Sequence, residues 1–270
     1  MDRRLTPATA RIAHISLQGQ MNAPAFTAGE RLQIAVPLAD LLRSPNGPRE
    51  RQLWLGEDFT VIDRMKGHAF GCAAKDGYCG WLPEGALEQG PPATHWVAST
   101  GTHLYAKPKA SSQNLSDLPM GARVAVLDQV GTYAQTTQGF VPASHLLPLG
   151  TYLSDPVAVA EMFLHSPYLW GGNSRAGLDC SGLAQISHLA CGMDLPADSD
   201  LQETAGRVVQ GDFQRGDLLF WNGHVALAVD SQRLIHANGN TMSVAYEDIT
   251  AAIARIQQAE GAPLRSHRRL

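Results

Sequence analysis

The sequence predicts an α+β protein in which two small β-barrels precede a domain with a helix packed on an antiparallel sheet. Three observations predict it. The chain of 270 residues exceeds the ~100–200 residues of a typical single domain, so more than one core is expected. Two stretches in its first half consist of short strand-like pieces between Gly and Pro turns. After residue 151, helical spacing of apolar residues replaces this pattern, and strand-like segments follow.

The composition is that of ordinary globular domains. Apolar residues make up 44% of the chain and charged residues 17%, which argues against long disordered segments. The formal net charge is −4, and the Lys and Arg residues are scattered rather than gathered in a stripe that could bind a phosphate backbone. We therefore expect no nucleic-acid partner.

The hydropathy pattern and the N-terminal segment predict a location. No run reaches the ~18 consecutive apolar residues that a membrane span needs. Residues 1–19 lack the apolar core of a signal peptide after their basic start. These observations predict a soluble, cytoplasmic protein without a membrane span. Residues 1–27 are expected to form an N-terminal arm.

The four cysteines, at positions 72, 79, 180 and 191, form no C-x-x-C pair. A zinc ribbon or redox motif is therefore not supported, and neither a metal nor a cofactor is expected. Cys72 and Cys79 flank the sequence AAKDGY and could be cross-strand neighbours. In a reducing cytoplasm, two buried thiols are expected at these positions rather than a disulfide.

The two β-rich stretches, 36–87 and 99–146, are a repeat. Each passes through a polar loop and a Val/Ile-rich strand to a Gly-aromatic ending, GYCGWLP in the first and GFVP in the second. The pattern resembles the bacterial SH3-like domain and predicts barrels at 28–90 and 93–148, followed by a last domain at 151–270. For most residues of the barrels, a role as a spacer or a binding module fits as well as a direct role in chemistry.

Cys180 lies in the sequence GLDCSG, where a helix is predicted to begin. Leu183, Ile186 and Leu189 recur at threefold spacing after it, so Cys180 is expected in the first turn. A cysteine is a nucleophile only as the thiolate, and a helix N-terminus favours the thiolate through its partial positive charge and unpaired N–H groups. The alternative is a small buried packing residue, which is our interpretation of Cys191. The polar neighbours of Cys180 favour the nucleophile.

A thiolate enzyme also needs a base, and His224 begins the apolar strand-like sequence HVALAVD. The preceding Asn-Gly is typical of a tight hairpin turn. His236 follows on the next predicted strand. A three-residue loop at 230–232 would pair it with Ala226, on the face of His224, and diagonal neighbours on paired strands are about 7–8 Å apart. A two-residue loop would place His236 on the opposite face.

Four sequences in this order resemble the NlpC-type family of papain-like cysteine peptidases, which cut cell-wall peptides. They are YLWGG (168–172), DCSGL (179–183), GDLLFW (216–221) and GHVAL (223–227). The resemblance covers about residues 151–240 and implies a papain-like fold for the last domain. Together with the two SH3-like barrels, it indicates an endopeptidase of the dipeptidyl-peptidase VI type.

The resemblance implies a role for each matching residue. Cys180 is implied as the nucleophile, His224 as the base, His236 as the group that orients it, and Tyr168 as a partner of the oxyanion. Such enzymes hydrolyse the bond after γ-D-glutamate through a thioester acyl-enzyme, in which the base protonates the departing amine of the diamino acid.

Some family members with two SH3-like domains cut only stem peptides whose L-Ala amine is free. The loop LPADSDLQ resembles their acidic specificity loop, which implies that Asp198 and Ser199 bind the ammonium group, with Asp179 and Ser181 nearby and Tyr78 contributed by the first barrel. A paired carboxylate rejects substrates that lack the charge. Asp198 or Ser199 could instead be a helix N-cap.

The expected function is therefore a γ-D-glutamyl-L-diamino acid endopeptidase that acts on peptidoglycan stem peptides during recycling, without a cofactor. Two alternatives remain at this stage. One is a non-catalytic peptidoglycan-binding protein, and the other is a papain-like amidase or acyltransferase with another substrate.

Overall fold

The computed structural model describes residues 1–270, except for the side chain of residue 260. The chain divides into two compact units, Met1–Leu149 and Gly150–Leu270. The first unit consists of short strands and single turns of 3-10 helix, and the second combines helices with a six-stranded sheet. No helix in the described part of the chain has the length and apolar character needed to cross a bilayer.

The first part of the first unit contains nine strands. They are β1 (Ala13–His14), β2 (Phe26–Thr27), β3 (Glu30–Ile34), β4 (Leu38–Leu42), β5 (Arg49–Trp54), β6 (Asp58–Met65), β7 (His68–Ala73), β8 (Cys79–Pro83) and β9 (Leu87–Glu88). Strands β3 to β9 form one sheet in the order β5-β4-β8-β7-β6-β3-β9. Alternate residues of these strands point inwards, and Leu41, Leu53, Phe59 and Leu82 are fully buried between them.

The second part of this unit contains eight strands. They are β10 (His95–Val97), β11 (Gly101–Tyr105), β12 (Asn114–Pro119), β13 (Arg123–Val124), β14 (Val126–Val130), β15 (Tyr133–Thr136), β16 (Phe140–Pro142) and β17 (Leu146–Pro148). They form a sheet of order β12-β11-β16-β15-β14 and a smaller one of order β13-β10-β17. Both parts end in the same way, with a strand, one 3-10 turn (Glu84–Ala86 or Ala143–His145) and a short closing strand. Two further 3-10 turns, Arg3–Leu5 and Ile15–Leu17, lie in the first 27 residues.

Cys72 and Cys79 form a disulfide, so the expectation of two free thiols is wrong. The expected cross-strand position is correct, because the register of β7 and β8 pairs these two residues directly and their Cα atoms are 4.1 Å apart. The error arose because the expectation depended on an assumed reducing compartment. The antiparallel register brings the two sulfur atoms together whatever the compartment.

The second unit contains four helices and eight strands. The helices are α1 (Pro156–Glu161), α2 (Cys180–Leu189), α3 (Ser199–Gln202) and α4 (Ile249–Glu260). The strands are β18 (Asn173–Ser174), β19 (Gly177–Leu178), β20 (Arg207–Val208), β21 (Leu218–Trp221), β22 (His224–Ala228), β23 (Arg233–Asn238), β24 (Ser243–Asp248) and β25 (Ser266–Arg269).

One six-stranded antiparallel sheet organises this unit, in the order β20-β25-β21-β22-β23-β24. Helix α2 contacts β22 and β23. Apolar residues of α4 join those of the sheet in one buried cluster that includes Leu219, Ala226, Leu234, Ile249 and Ile256. The helix that begins with Cys180 is therefore held against the strands that carry His224 and His236.

Candidate active site

Asp179 fixes the start of α2. One carboxylate oxygen accepts hydrogen bonds from the backbone N–H of Gly182 at 2.6 Å and from the hydroxyl of Ser181 at 3.0 Å. The other oxygen accepts from the backbone N–H of Gly171 at 2.8 Å. Asp179 is thus the N-cap of α2, and it ties the Trp-Gly-Gly loop to the first turn of the helix.

Cys180 is the first residue of α2 and is 7% exposed. A Cβ atom on Gly182 would lie 2.5 Å from the carbonyl oxygen of Gly172, so a side chain at position 182 would push the loop away from the helix. The Sγ atom of Cys180 lies 4.0 Å from the carbonyl oxygen of Gly223, the residue before His224. The helix start and the β21–β22 hairpin therefore meet at the thiol.

The β21–β22 hairpin places His224 as the first residue of its strand. Trp221 pairs with His224, which leaves Asn222 and Gly223 as the two-residue turn, with Gly223 at a φ of +73°. The ring of His224 lies 5.7 Å from that of Trp221, centroid to centroid. The predicted tight hairpin is therefore confirmed.

His236 reaches His224 through the strand register that the sequence required. Leu227 pairs with Ile235, which leaves residues 230–232 as the loop and puts His236 level with Ala226. Nε2 of His224 lies 2.9 Å from Nδ1 of His236, a hydrogen bond between the two rings. Since Nε2 of His224 is occupied in this way, Nδ1 is the ring nitrogen that remains for Cys180.

Sequence reasoning missed two residues that continue this chain of contacts. Nε2 of His236 lies 3.2 Å from Oε2 of Glu247, whose two oxygens accept hydrogen bonds from Nε and Nη2 of Arg255, each at 2.8 Å. We call Glu247, His236 and Arg255 the Glu247 cluster. A signal was present: the strand after His236 carries Glu247, and alternation along paired strands would put it on the face of His236 once the register was known.

Burial dominates the electrostatics of the site. It lowers the pKa of His224 to about 3, with smaller contributions in the same direction from His236 and Arg255 and an opposing one from Glu247. Hydrogen bonds from Arg255 and then from His236 lower the pKa of Glu247 to about 2. At neutral pH the resting imidazole of His224 is therefore uncharged and able to accept a proton, while Glu247 is an ionised carboxylate.

Tyr168 lies close to the thiol. Its pKa is raised well above the usual range, first by burial and then by Cys180 and Asp179. Its backbone N–H donates to the carbonyl oxygen of Met242 at 2.9 Å, which fixes the chain next to β24. The phenol therefore keeps its proton at neutral pH and can donate a hydrogen bond.

The structure brings the loop 195–202 to the start of α2. The side-chain amide of Gln202, a fully buried residue that sequence analysis did not single out, donates to the carbonyl oxygens of Ser181 at 2.9 Å and of two loop residues, Pro196 and Ala197. Asp198 occupies the N-cap position of α3 but makes no capping hydrogen bond with its side chain within the described chain, and Ser199 follows as the first helical residue.

Tyr78 lies in the first unit and is buried, with its backbone N–H donating to the carboxylate of Asp76 at 3.0 Å. Its role in binding substrate stays a prediction, as do the substrate-binding roles of Asp179, Ser181, Asp198 and Ser199. Among the described residues, no group of three or more His, Cys, Asp or Glu side chains is placed to bind a metal ion.

Comparisons with known proteins match two segments of the chain to families. Residues 165–259 match the NlpC/P60 family, and residues 41–87 match the bacterial dipeptidyl-peptidase SH3 domain. The chain is 34% identical over 148 residues to dipeptidyl-peptidase 6 of Lysinibacillus sphaericus, covering 53% of this chain and 54% of that protein. It is 30% identical over 197 residues to the gamma-D-glutamyl-L-lysine dipeptidyl-peptidase of Bacillus subtilis, covering 66% of each.

The chain thus spans between about half and two thirds of the length of these two relatives. A crystal structure of an NlpC/P60 family protein from Bacillus cereus has the same fold, with a TM-score of 0.75 at 20% identity over 89% of this chain and 99% of that one. Residues 165–259, with Cys180 at a helix start, therefore form an NlpC/P60 domain, and a bacterial dipeptidyl-peptidase SH3 domain precedes it in sequence.

Proposed function

We propose that this protein is a cysteine endopeptidase that hydrolyses the γ-D-glutamyl-diamino acid bond of peptidoglycan stem peptides. The observation that carries the proposal is the thiol of Cys180 at a helix N-terminus, next to the hydrogen-bonded pair of His224 and His236. The substrate class rests on similarity, since one relative is named a gamma-D-glutamyl-L-lysine dipeptidyl-peptidase.

The reaction proceeds in two halves. Nδ1 of His224 takes the proton from the thiol of Cys180, and the thiolate attacks the γ-carbonyl carbon of D-glutamate. Backbone N–H groups at the start of α2 and the hydroxyl of Tyr168 donate hydrogen bonds to the oxyanion. The imidazolium of His224 then gives its proton to the departing amine of the diamino acid, which leaves a thioester. Water, deprotonated by His224, attacks the thioester and releases the dipeptide.

The free amine of L-Ala is proposed to bind beside the loop 195–202, with Asp198 and Ser199 as its partners and Asp179 and Ser181 next to them. Gln202 supports this proposal because it anchors the loop to the carbonyl oxygen of Ser181. The carboxylate of Asp179 already accepts three hydrogen bonds from the protein, so its contribution is to charge rather than to direct binding.

We further propose that residues 93–148 form a second SH3-like barrel and that Tyr78 of the first barrel contributes to substrate binding. The common ending of both parts, a strand followed by a 3-10 turn and a closing strand, supports the second barrel. Neither barrel supplies a reacting group in this proposal, because the reacting groups all lie in the last domain.

The proposed setting is the recycling of released stem peptides in the cytoplasm. A requirement for a free L-Ala amine fits this setting, because that amine is acylated while the peptide is attached to the glycan. The Cys72–Cys79 disulfide opposes it, since disulfides are rare in reducing compartments. Counting the free thiols of protein isolated from cells under rapid alkylation tests the location: four would support the cytoplasm, and two would contradict it.

Mass spectrometry of defined peptides tests the function. The substrates are L-Ala-γ-D-Glu-diaminopimelate and L-Ala-γ-D-Glu-L-Lys, each with its amine free or acetylated, incubated with the parent protein or with Cys180→Ala. We expect L-Ala-D-Glu from the free-amine peptides with the parent alone. Equal cleavage of the acetylated peptides would refute the roles of Asp198 and Ser199, and cleavage of none would refute the proposed activity.

A further inference from the structure

The hydrogen bonds of the candidate site continue beyond His236 across a third strand. In the register of β23 and β24, His236 lies opposite Ala245, so Glu247 is its diagonal neighbour on the same face. The side chain of His236 is 1% exposed and that of Glu247 is 21% exposed. Arg255 reaches the same carboxylate from α4. The Glu247 cluster therefore lies behind His224, on the side away from the thiol.

We propose that Glu247, held by Arg255, is a positioning residue that fixes the tautomers of His236 and His224, so that the nitrogen of His224 facing Cys180 carries no proton. The inference rests on the proposed function, because it takes Cys180 as the nucleophile and His224 as its base.

The direction of each hydrogen bond follows from the carboxylate. An ionised Glu247 can only accept, so Nε2 of His236 must carry a proton and donate it. A neutral His236 then has an unprotonated Nδ1, which can only accept from Nε2–H of His224. With its one proton on Nε2, His224 presents a lone pair at Nδ1. This is the nitrogen that must take the proton from the thiol.

Without the carboxylate, the reverse arrangement is equally satisfied between the two rings. Nδ1–H of His236 would donate to Nε2 of His224, and His224 would carry its proton on Nδ1, where it cannot act as a base. Water has little access to correct this, because His236 is 1% exposed. In a related arrangement, an orienting carboxylate replaced by its amide gives the wrong tautomer and lowers kcat by about 10⁴.

Arg255 has two effects on the cluster. Its two hydrogen bonds keep Glu247 ionised, and Glu247 is therefore an acceptor at every pH at which the enzyme would work. Its positive charge also offsets that of the carboxylate. The titratable and charged groups around His224 are thus Cys180 from α2, His236 from β23, Glu247 from β24 and Arg255 from α4. Because the charge of Arg255 acts on His224 in the direction opposite to that of Glu247, we assign to Glu247 an effect on proton position.

Kinetics of three variants test the inference. Glu247→Leu removes the acceptor at similar volume. Glu247→Gln keeps the shape, but one amide oxygen cannot serve both donors of Arg255 and His236, so its NH₂ group faces a donor. We expect kcat to fall about 10²–10⁴-fold in Glu247→Leu and about 10-fold or more in Glu247→Gln, with KM within about twofold, since the interaction acts on the base rather than on the substrate.

Tyr246→Phe is the matched control. Tyr246 precedes Glu247 on β24 and points to the opposite face, where its hydroxyl donates to Glu161 at 2.9 Å. This variant loses one hydrogen bond on the same strand and leaves both imidazoles untouched, so kcat should stay within about twofold of the parent. If Glu247→Leu does not fold, the isosteric Glu247→Gln decides the question.

A second readout does not depend on the substrate. Alkylation of Cys180 by iodoacetamide, followed by peptide mapping between pH 5 and 10, measures how readily the thiolate forms. In Glu247→Leu we expect the rate at pH 7 to be at least about fivefold below the parent, and the rates to converge near pH 10, where the thiol ionises without a base. Tyr246→Phe should follow the parent.

The two readouts separate failure of this inference from failure of the proposed function. A parent that does not cleave the stem peptides, with the alkylation difference intact, refutes the substrate and supports the positioning role. A parent that cleaves, with a folded Glu247→Leu equal to it in kcat and in alkylation profile, overturns the positioning role. A loss confined to KM also overturns it.

Discussion

The Glu247 cluster has a counterpart at another place in the same sheet. In the Asp217 cluster, formed by Asp217, His267 and Arg269, a fully buried carboxylate accepts two hydrogen bonds from Arg269, at 2.6 and 2.7 Å, and lies 2.6 Å from Nε2 of His267. Each cluster is therefore a carboxylate that joins one arginine to one histidine. The two clusters differ in what the histidine ring contacts next.

The second ring nitrogen of His236 bonds to His224, whereas the ring of His267 packs on Phe213, with centroids 4.8 Å apart. Asp217 also accepts a hydrogen bond from the backbone N–H of Gln214 at 2.7 Å, so it ties a loop to strands β21 and β25. It lies at the end of β21 opposite to the hairpin of His224. A carboxylate, a histidine and an arginine thus lie beside His224 in one cluster, where we propose that they set proton position, and join strands in the other.

The largest expected difference is in activity. His236→Ala should lower kcat by about 10³-fold or more, because His224 loses the acceptor that sets its tautomer. His267→Ala should leave kcat of the folded protein within about threefold of the parent, because its ring hydrogen-bonds to Asp217 and packs on Phe213 at the end of β21 away from His224. Steady-state kinetics at low temperature, with the folded fraction measured by circular dichroism, make the comparison.

A similar loss of kcat in both histidine variants would break the distinction between the clusters. It would mean that activity depends on the general integrity of the sheet. A loss in His267→Ala that disappears when rates are corrected for the folded fraction would preserve the distinction.

A smaller effect, on stability alone, is expected from Asp217→Asn. The change removes the charge that pairs with Arg269 and His267 inside the fold, and we expect a loss of about 3 kcal/mol in the free energy of unfolding, the lower part of the range for broken buried pairs because Arg269 is partly exposed. Urea unfolding measures it. If Asp217→Asn were as stable as the parent, the Asp217 cluster would have no structural role.

The pH dependence of that loss has a defined sign. Burial alone would raise the pKa of Asp217, but hydrogen bonds from Arg269, His267 and the Gln214 N–H outweigh it, so the folded pKa is lowered. A lowered pKa contributes stability above the unfolded value of about 3.9, and this contribution is lost as pH falls through the folded value. The difference between parent and Asp217→Asn should therefore be constant from about pH 6 to 8 and shrink below about pH 4.

The parts of the candidate site that were predicted from sequence depend on local signals. A helix start at Cys180 followed from apolar spacing, and the position of His224 followed from the Asn-Gly turn before it. The position of His236 needed only a choice between two loop lengths. Glu247 was not found, because its place depends on the pairing of β24 with β23 across residues 239–242, whose length fixes no single register.

In the Asp217 cluster, the contacting residues are separated by 50 and 52 positions in the sequence. No local sequence pattern predicts such distant pairs. The Cys72–Cys79 disulfide was missed for a different reason. The cross-strand position was predicted correctly from the short sequence between the two cysteines, but the oxidation state was inferred from an assumed compartment instead of from the proximity that the position implies.

Removal of that disulfide has the smallest expected effect. The disulfide can be compared with the Asp217 cluster because it also joins two strands, but by a covalent bond rather than through a carboxylate. The two cysteines are separated by seven positions, so the closed loop is short and opening it returns little entropy to the unfolded state. We expect the double variant Cys72→Ser/Cys79→Ser to lose about 2 kcal/mol in the free energy of unfolding measured with urea, less than Asp217→Asn.

Thiol titration of the purified parent in denaturant should find two free thiols among its four cysteines. Four free thiols, with a double variant as stable as the parent, would mean that hydrogen bonding between β7 and β8 holds this hairpin without the covalent bond. A loss larger than that of Asp217→Asn would mean that a short covalent link stabilises the chain more than a buried carboxylate that joins distant strands.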